Sequence, residues 1–515
     1  MRRPHPAGRA LEAVTPLIET LTALEATALQ GRSLSVVALA AELAATCAAV
    51  ARDAMALILE QAARAQPASV ACACGGAASS QGFESTSFVG RFGRVSVSRR
   101  RMTCAYCDTS GFPFDQAWGL PAGADADDVR EATERLSCRL GSFEEAVAEL
   151  QYLWSVAPDA STAQRWVAQD GARADAVVPA EADTRWKAYE TQAFAEARGD
   201  QRGPTRTAGL GVVEVDGVHA LTWKPGHEPR RKTEPAAAAT TARAAPAATS
   251  ETGARATRHQ APSALSDVTG SPMGPQGRSC RVRGREICMG LTYLGEDACE
   301  ESPGRGVLLH RRYCATLNDR DGFWRKLHAA ATVQGVLQRE TLVRVSDAGT
   351  YFVDQTPERF CDQPLLGILD LQHGRQHVWE AGHTVVRDPK KTAAWVTPRT
   401  QAIWDGKVDD VIVDLAAERP RRRGSAQREA IDGLSGYLER HKHMMDYPRY
   451  REAGYPIASA AIESANKRWV GRRCKQGGMI WSEPGLEAMV ALRVAFYNRD
   501  TWRRLWPHSA PSAAV

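Results

Sequence analysis

The sequence predicts a multidomain α+β protein built around an α/β core. Its 515 residues indicate about three domains at roughly 150 residues each. Hydrophobic residues make up 43% and charged residues 24% of the chain, a mix that supports a sizeable core and excludes a fully disordered protein. Helical periodicity dominates the first 205 residues apart from one glycine- and cysteine-rich stretch, and strands alternate with helices from Leu210 onward.

Composition restricts the cellular setting more than the partner. Lys and Arg number 65 against 60 Asp and Glu, a net charge of +5, which is too mild to indicate a partner by itself. The most apolar window, residues 33–51, is rich in alanine and contains Glu42, so an amphipathic helix is favoured over a membrane span. Pro4 follows two arginines with no apolar stretch behind it. No signal peptide is predicted, and the expected location is the cytoplasm.

Residues 1–68 are predicted to be a helical hairpin, because apolar residues recur at helical spacing in two stripes, 11–21 and 34–59. Residues 69–122 change to glycine clusters and alternating strand-like sequence, typical of a small β module. This module carries Cys72, Cys74, Cys104 and Cys107. Four thiolates at such spacing bind Zn²⁺ tetrahedrally, although Cys72-x-Cys74 is one residue tighter than the usual pair. A zinc ribbon and a module that folds without metal both remain open.

Residues 123–205 are predicted to be helical. Ser142 with Glu145 has the form of a capping box, and the helix should run to about Leu153. A second helix begins near Asp159 and carries Arg165. Two alternatives remain open for this pair, a DNA-reading helix-turn-helix in which Arg165 contacts bases and a plain helical hairpin. The arginine-rich strand 91–101 of the preceding module also suits contact with the DNA backbone.

Residues 206–506 are predicted to form one α/β domain, followed by a tail, 507–515. Its expected strands and helix are, in order, Leu210–Val215, Glu286–Leu294, Arg311–Leu317, the helix Asp321–Val336, then Thr341–Ser346 and Gln363–Leu369. Residues 233–278 hold 13 alanines and no aromatic residue, which predicts a disordered insert. Residues 374–455 are predicted to be a helical insertion with a basic run, 419–423. Helices then follow from about Ile462 to Lys475 and from Pro484 to Asn498.

Acidic residues stand at the ends of three of these strands. Asp216, Asp347 and Asp370 each follow an apolar strand, and Glu463 lies in the first turn of a late helix. One such acid alone is most simply explained as a turn residue or a helix-dipole partner. Several acids that converge at strand ends are how divalent cations are held, and two such cations can act on the attacking and leaving oxygens of a phosphodiester.

The order of elements matches the ribonuclease H-like fold. That fold has three consecutive strands, a helix, a further strand and a late helix. Its first acid lies on strand one, its second just after strand four and its third on the late helix. Counting along this chain assigns these positions to Asp216, Asp347 and Glu463, and favours Asp347 over Asp370 because Asp370 follows strand five.

The sequence resembles the DDE transposases of bacterial insertion sequences, in the ISKra-like group of the Mutator-type superfamily. The likeness spans residues 70 to 506. It is carried by Val215-Asp216-Gly217, Val345-Ser346-Asp347-Ala348-Gly349, Leu369-Asp370-Leu371-Gln372-His373, Ile462-Glu463-Ser464-Ala465, Arg473-Cys474-Lys475-Gln476-Gly477-Gly478-Met479-Ile480-Trp481-Ser482, Ala491-Leu492-Arg493, Cys74-Gly75, Cys104-Ala105-Tyr106-Cys107 and Asp115-Gln116-Ala117-Trp118-Gly119-Leu120. The block from Ile462 to Ser482 is the most specific. Ala348 stands where the family usually has Gly.

The resemblance implies that Asp216, Asp347 and Glu463 are catalytic and hold two Mg²⁺ or Mn²⁺ ions, with Asp216 between them. It implies DNA cleavage that releases a 3′-OH, which then attacks target DNA. Asp370 and His373 correspond to an accessory acid-and-histidine pair, for which a purely structural His373 is an equal alternative. Expected partners are double-stranded DNA, both element ends and target, and further copies of the chain. Location in the cytoplasm at the nucleoid follows.

Basic residues around the late helix complete the expected site. Arg468 and Arg472 are four residues apart and share one helix face, where they would hold phosphates. The full set of expected DNA contacts is Arg165, Lys467, Arg468, Arg472, Arg473 and Lys475. Trp469 and Trp481 are expected in the core. A structure-selective nuclease or resolvase of the same fold, and a non-catalytic DNA-binding regulator, are the alternative functions.

Overall fold

A computed structural model describes residues 6–30, 35–197, 207–225, 280–302, 305–317, 319–347, 365–386, 388–476 and 479–507. The predicted insert 233–278 therefore lies outside the described residues. The described residues up to Ala176, with those from Ala491 onward, form one compact unit, and those from Val177 to Val490 form another. The described chain is a mixed α+β protein, as predicted.

The first unit begins with a helical pair and a small antiparallel sheet. The elements are α1 Pro6–Leu29, α2 Val36–Ala65, β1 Ser69–Ala71, β2 Ala77–Gly90, β3 Gly93–Cys104, β4 Ser110–Gly111 and α3 Pro113–Trp118. The strands lie in the order β1-β2-β3-β4. Leu59 and Ala63 of α2 pack against Phe88, Val95 and Phe114. The sheet thus has an apolar core of its own, apart from its cysteines.

Three helices follow, α4 Asp127–Arg139, α5 Phe143–Trp154 and α6 Ala160–Ala197. Each contributes one buried residue to a shared cluster, Val129, Leu150 and Trp166 respectively. The Ser142 hydroxyl accepts a hydrogen bond from the Glu145 N–H at 3.1 Å, so the predicted N-cap of α5 is confirmed. Helix α6 begins beside Asp159, as predicted.

The second unit is organised around a mixed sheet. Its strands are β5 Thr207–Pro225, β6 Cys280–Leu294, β9 Arg312–Leu317, β10 Arg339–Ser346 and β11 Leu365–Leu369, in the order β11-β10-β5-β6-β9. Strand β6 runs antiparallel to both of its neighbours, β5 and β9. Strand β10 runs parallel to both β5 and β11. A short hairpin, β7 Ala298–Ser302 and β8 Arg305–Leu308, lies between β6 and β9 in the chain and was not predicted.

Helices cover this sheet. Helix α7, Arg320–Gln334, buries Phe323, Trp324 and Leu327 against Val213 and Val215 of β5. The predicted helical insertion consists of α8 Leu371–Val386, α9 Pro389–Trp404, α10 Val408–Glu418, α11 Ser425–His441 and α12 Tyr447–Glu452. Its apolar side chains join those of β10 and β11 in a single cluster.

The last elements contain the predicted late helices. Helix α13, Ala460–Asn466, continues through a π-helical turn at Lys467–Gly471 into α14, Arg472–Cys474. Strand β12, Trp481–Ser482, pairs with the far end of β5. Helices α15 Glu483–Tyr497 and α16 Arg499–Leu505 follow. None of the helices in the described ranges is long and apolar enough to cross a membrane.

Strand β5 differs from its prediction. The sequence predicts a strand that ends at Asp216, whereas the structure continues it to Pro225. The reason is its neighbour β6, which pairs with it from Gly211 through to Pro225. Strand β10 pairs with β5 only as far as Val215. The Asp216-Gly217 pair is therefore no turn, and marks the point where one neighbouring strand ends.

Candidate active site and metal centre

The first two predicted acids lie side by side at the centre of the large sheet. Val215 of β5 pairs with Ser346 of β10, the last pair of a parallel ladder. Asp216 and Asp347 each follow directly on these partners. Parallel strands in register place equivalent positions next to each other. Asp216 and Asp347, far apart in the sequence, therefore both lie at the carboxyl end of this ladder.

The third predicted acid, Glu463, reaches the same place on helix α13. The backbone N–H of Ile462 donates to Glu214 Oε2 at 2.8 Å, and the side-chain amide of Asn466 donates to Asp216 Oδ2. These two hydrogen bonds lie on either side of Glu463 in the chain. Glu463 is half exposed and lies 3.7 Å from Lys467 Nζ.

The charges of the three acids act on one another. Burial, the nearby Asp347 carboxylate and, less strongly, that of Glu463 together raise the pKa of Asp216 to about 7, against hydrogen bonds from Gly217 and Asn466. Burial also raises the pKa of Glu214 to about 7. Grouped carboxylates of this kind are the usual donors for Mg²⁺ and Mn²⁺.

The three carboxylates do not form a closed metal cage. Within the described ranges, the only group of three or more metal-ligating side chains whose donor atoms all lie within 4.8 Å of one another is the cysteine set. Asp216, Asp347 and Glu463 are therefore within electrostatic reach of each other but more widely spaced. Their donor chemistry fits hard divalent cations.

Asp370 has structural partners for both of its oxygens. Oδ1 accepts a hydrogen bond from the His373 N–H at 2.9 Å, which caps the start of α8. Oδ2 accepts from the N–H and the hydroxyl of Ser459, just before α13. Asp370 thereby connects the end of β11 to the segment that leads into the late helix, and both of its oxygens have partners among the described residues.

His373 belongs to a small aromatic cluster rather than to a pair with Asp370. Its Nε2 lies 3.2 Å from Nε2 of His377, one turn further along α8. The ring of His377 packs on Tyr437 of α11 with centroids 4.0 Å apart. Burial lowers the pKa of His377, and His373 lowers it further. The accessory role stays a prediction, and the histidine ring has a local packing role.

A basic groove opens beside Glu463. It has a volume of about 430 Å³ and is lined by Ala460, Glu463, Ser464, Lys467, Arg468 and Arg472. Arg468 and Arg472 share this face, as predicted from their spacing. Arg473 does not, since it is 2% exposed and its guanidinium lies 4.9 Å from the ring centre of Trp481. A DNA contact through Arg473 is therefore wrong. Trp469 and Trp481 are buried, as predicted.

The basic run 419–423 is partly neutralised by neighbouring acids. Arg419 pairs with Asp432, Nη2 to Oδ2 at 2.8 Å, and Arg422 pairs with Glu418. The run forms a 3₁₀ turn between α10 and α11. It serves as a charged connection between two helices of the insertion.

In the first unit, Arg165 is exposed near the start of α6 and donates to Thr162 Oγ1 at 3.0 Å. Asp125 lies near both Arg165 and Arg94 of β3, since both charges act against the rise in its pKa that burial causes. Arg99, by contrast, is buried against Asp115 at 2.8 Å. The arginine-rich strand therefore has both buried and unburied guanidinium groups. Arg165 and Arg94 both lie near Asp125.

The four cysteines of the β module come together as a metal site requires. Cys72 Sγ lies 3.7 Å from Cys107 Sγ, and Cys74 Sγ lies 3.6 Å from Cys104 Sγ. Four thiolates around one Zn²⁺, at about 2.3 Å each, have sulfurs at about this spacing. The side-chain and backbone groups of Thr109 lower the pKa of Cys107 to about 6, which favours the thiolate. These residues can hold a metal ion such as zinc.

Glycines explain why the tighter Cys72-x-Cys74 spacing still works. Gly75 adopts a φ of +87°, and the turn closes with the Cys72 N–H donating to the Gly76 oxygen at 2.8 Å. A Cβ on Gly76 would lie 3.2 Å from the Cys104 sulfur and 3.5 Å from the Cys74 sulfur. The space around the sulfurs is therefore kept open by the absence of a side chain.

Two residues at the acidic site were missed in the sequence. Glu214 and Asn466 hold α13 against β5. The signal for Glu214 was present, since an acid inside the apolar strand Val212–Val215, two residues before Asp216, must point to the same face. Asn466 gives no comparable signal, because its partner lies in a distant part of the chain.

A search of protein-family models finds no match to this chain, and a search of curated proteins finds none either.

Proposed function

We propose that this protein is a DDE-type DNA transposase, which binds the ends of an insertion sequence and catalyses metal-dependent cleavage and strand transfer. The observation that carries the proposal is the meeting of Asp216, Asp347 and Glu463 beside a basic groove. Three acids from separate parts of the chain share one site. Carboxylates that repel one another and have a perturbed pKa are typical of functional sites.

The large sheet supports a ribonuclease H-like core. Counted along the chain without the β7–β8 hairpin, its strands lie in the order 5-4-1-2-3, with the first three antiparallel and the fourth parallel to the first. Asp216 lies on strand one, Asp347 follows strand four, and Glu463 lies on the late helix. These are the positions that the fold uses for its acids.

Each residue has a part in the proposed chemistry. Asp216 interacts electrostatically with both other acids and is oriented by Gly217 and Asn466. When bound by the three acids, Mg²⁺ or Mn²⁺ would supply activation of water and stabilisation of the leaving oxygen. Arg468 and Arg472 would bind the phosphates of the strand to be cut, with the groove orienting that strand against Glu463.

The first unit would supply recognition of the element ends. A zinc-bearing β module presents Arg94, and the three-helix cluster presents Arg165 close to the same acid, Asp125. Such basic side chains on rigid elements suit double-stranded DNA. Two ends must be brought together before joining, so we propose that the active form is a homo-oligomer, acting in the cytoplasm at the nucleoid.

The test is cleavage and strand transfer on DNA that carries the flanking sequences of the gene, with Mg²⁺ present. The wild-type protein is expected to give joined products. Asp216→Asn should give neither cut nor joined DNA while its DNA affinity stays within about threefold, because the substitution removes a metal ligand and leaves the basic surfaces.

Asp410→Asn is the matched control, since Asp410 is an exposed acid in the first turn of α10 and should leave the rate unchanged. Cleavage by Asp216→Asn at the wild-type rate would contradict the assigned acid. Cleavage without joining by the wild type would indicate a nuclease, and binding without cleavage would indicate a regulator.

A further inference from the structure

Glu214 is a buried acid whose place in the sheet needs an explanation. It is 1% exposed and lies on β5 two residues before Asp216. Side chains alternate along a strand, so Glu214 and Asp216 share a face, opposite to the one that Val213 and Val215 bury against α7. Burying a carboxylate is costly unless hydrogen bonds compensate it. An apolar residue would fill the same space without that cost.

Both oxygens of Glu214 are hydrogen-bonded. Oε1 accepts from the hydroxyl of Tyr293 on β6 at 2.9 Å. Oε2 accepts from the backbone N–H of Ile462 at 2.8 Å. The first of these contacts fixes the carboxylate within the sheet, and the second connects the sheet to helix α13.

The Ile462 N–H is one that a helix cannot satisfy by itself. It belongs to the third residue of α13, and the N-cap residue, Ser459, gives no side-chain cap. The Ser459 hydroxyl donates to Asp370 instead. A helix start normally has such an N–H bonded by the N-cap side chain. In this protein Glu214 takes that place from a strand more than two hundred residues away in the chain.

This contact sets the position of Glu463. Ile462 and Glu463 are consecutive, and Glu214 and Asp216 lie on the same strand. The hydrogen bond from Ile462, near the start of α13, to Glu214 and that from Asn466, its last residue, to Asp216 therefore fix the helix at two points on β5. Between these two points the Glu463 side chain has a restricted position.

We propose that Glu214 is a positioning residue that holds Glu463 against Asp216 for joint binding of divalent metal. The inference rests on the proposed function. It assigns Glu214 no contact with metal or DNA, because its oxygens already have partners. Replacing a residue that orients a metal ligand without touching the metal typically weakens metal affinity by about 10- to 100-fold.

The experiment measures Mn²⁺ binding by electron paramagnetic resonance on the full chain, and backbone amide hydrogen exchange over residues 460–466. Mn²⁺ prefers oxygen donors, so the cysteines do not compete for it. Glu214→Leu should weaken Mn²⁺ binding by about 10-fold or more and speed exchange in α13 without metal. Glu214→Gln keeps an amide oxygen for Ile462 and should stay within about threefold of wild type.

Tyr293→Phe is the matched control. It removes the other hydrogen bond of Glu214 and leaves the link to Ile462, so it should bind Mn²⁺ nearly as the wild type does. If Glu214→Leu folds poorly, the contrast between Glu214→Gln and a Glu214→Ala variant replaces it, with unfolding temperature measured on each. Rescue by Gln but not by Ala supports positioning through the hydrogen bond.

Two results separate the possible failures. In the first, Asp216→Asn loses Mn²⁺ binding while Glu214→Leu keeps wild-type affinity and wild-type hydrogen exchange. This result overturns the positioning role of Glu214 alone. In the second, Asp216→Asn keeps wild-type Mn²⁺ affinity. This result overturns the proposed function and, with it, the role of Glu214 in positioning a metal ligand.

Discussion

Asp216 accepts two hydrogen bonds, from Gly217 and Asn466, and its pKa is nevertheless raised to about 7. Burial is the main cause, and the charges of Asp347 and Glu463 act in the same direction. Hydrogen bonds that favour a carboxylate ordinarily lower its pKa. Here burial outweighs the two hydrogen bonds, and the neighbouring carboxylates add to the rise in the pKa of Asp216.

His328 is a second residue whose surroundings change its titration. It lies on α7 and is 2% exposed, with its ring in edge contact with Trp186 and Tyr189 at 5.0 and 4.5 Å between centroids. Burial lowers its pKa from 6.5 to about 4. The folded protein therefore disfavours the charged imidazole that the unfolded chain forms readily below pH 6.5.

The sign of the effect on stability follows from this difference. Between pH 6.5 and about 4 the unfolded state binds the extra proton, so stability is full above pH 6.5 and is lost as pH falls. We expect the free energy of unfolding to drop by about 2 kcal/mol more between pH 7 and pH 5 in wild type than in His328→Phe. Urea unfolding at the two pH values measures it.

The control is His383→Phe, since His383 is exposed on α8. This variant should show the wild-type difference in the free energy of unfolding between the two pH values. Equal losses in wild type and His328→Phe would show that the buried histidine does not govern this part of the acid sensitivity.

At the scale of elements, tertiary contacts complete helices that lack local caps. Asp370 lies at the start of α8 and bonds its third residue, His373, but Ser459 before α13 caps nothing in its own helix. Glu214 from β5 completes α13 instead. The late helix therefore depends on the sheet for its first turn, and the sheet on the helix for the partner of a buried acid.

The β module also brings together residues from distant parts of its sequence. Its four sulfurs converge at one end, next to the small cluster of Ala78, Met102 and Cys104. Replacing Cys104 with Ser should remove about one zinc equivalent per chain and lower the unfolding temperature, because one of four thiolates is lost. Metal content by mass spectrometry and thermal denaturation measure the two effects.

Cys47→Ser provides the control, since Cys47 is an exposed cysteine on α2 and should leave zinc content unchanged. Equal metal content in the two variants, or none in wild type, would contradict a zinc site.

At the scale of the whole molecule, the distribution of charge matters more than its sum. The net charge is only +5, yet Lys467, Arg468 and Arg472 line one groove. Other arginines, such as Arg419 and Arg422, are paired with acids. A weakly basic chain can thus present a locally basic surface for DNA phosphates.

This gives a prediction for DNA binding. Arg468→Gln combined with Arg472→Gln should weaken binding to duplex DNA and reduce the slope of log affinity against log salt by about 2, because two phosphate contacts are lost. Fluorescence anisotropy over a salt series measures the slope. The pair Lys390→Gln and Lys391→Gln on α9 removes the same charge elsewhere and should leave it unchanged. Identical slopes in both double variants would exclude the groove as a DNA contact.

Much of the architecture could be predicted from local patterns. The helical pair, the β module, the cap at Ser142 and the core positions of Trp469 and Trp481 follow from periodicity and residue type. The end of β5 could not, because Asp216-Gly217 has the sequence of a turn and only pairing with β6 continues the strand. Arg473 was misjudged for a similar reason, since helical spacing does not tell which face is covered by Trp481.

The sequence is enough to point out the candidate residues, namely acids after apolar strands and cysteines in close pairs, because residue type and spacing are local properties. The tertiary structure alone decided that Asp216 lies beside Asp347, that Glu214 caps α13 and that four sulfurs meet. Register between strands and the docking of a helix on a sheet arise from contacts between distant segments. No local sequence pattern encodes the register or the docking, because both depend on which distant segment packs against the strand or helix.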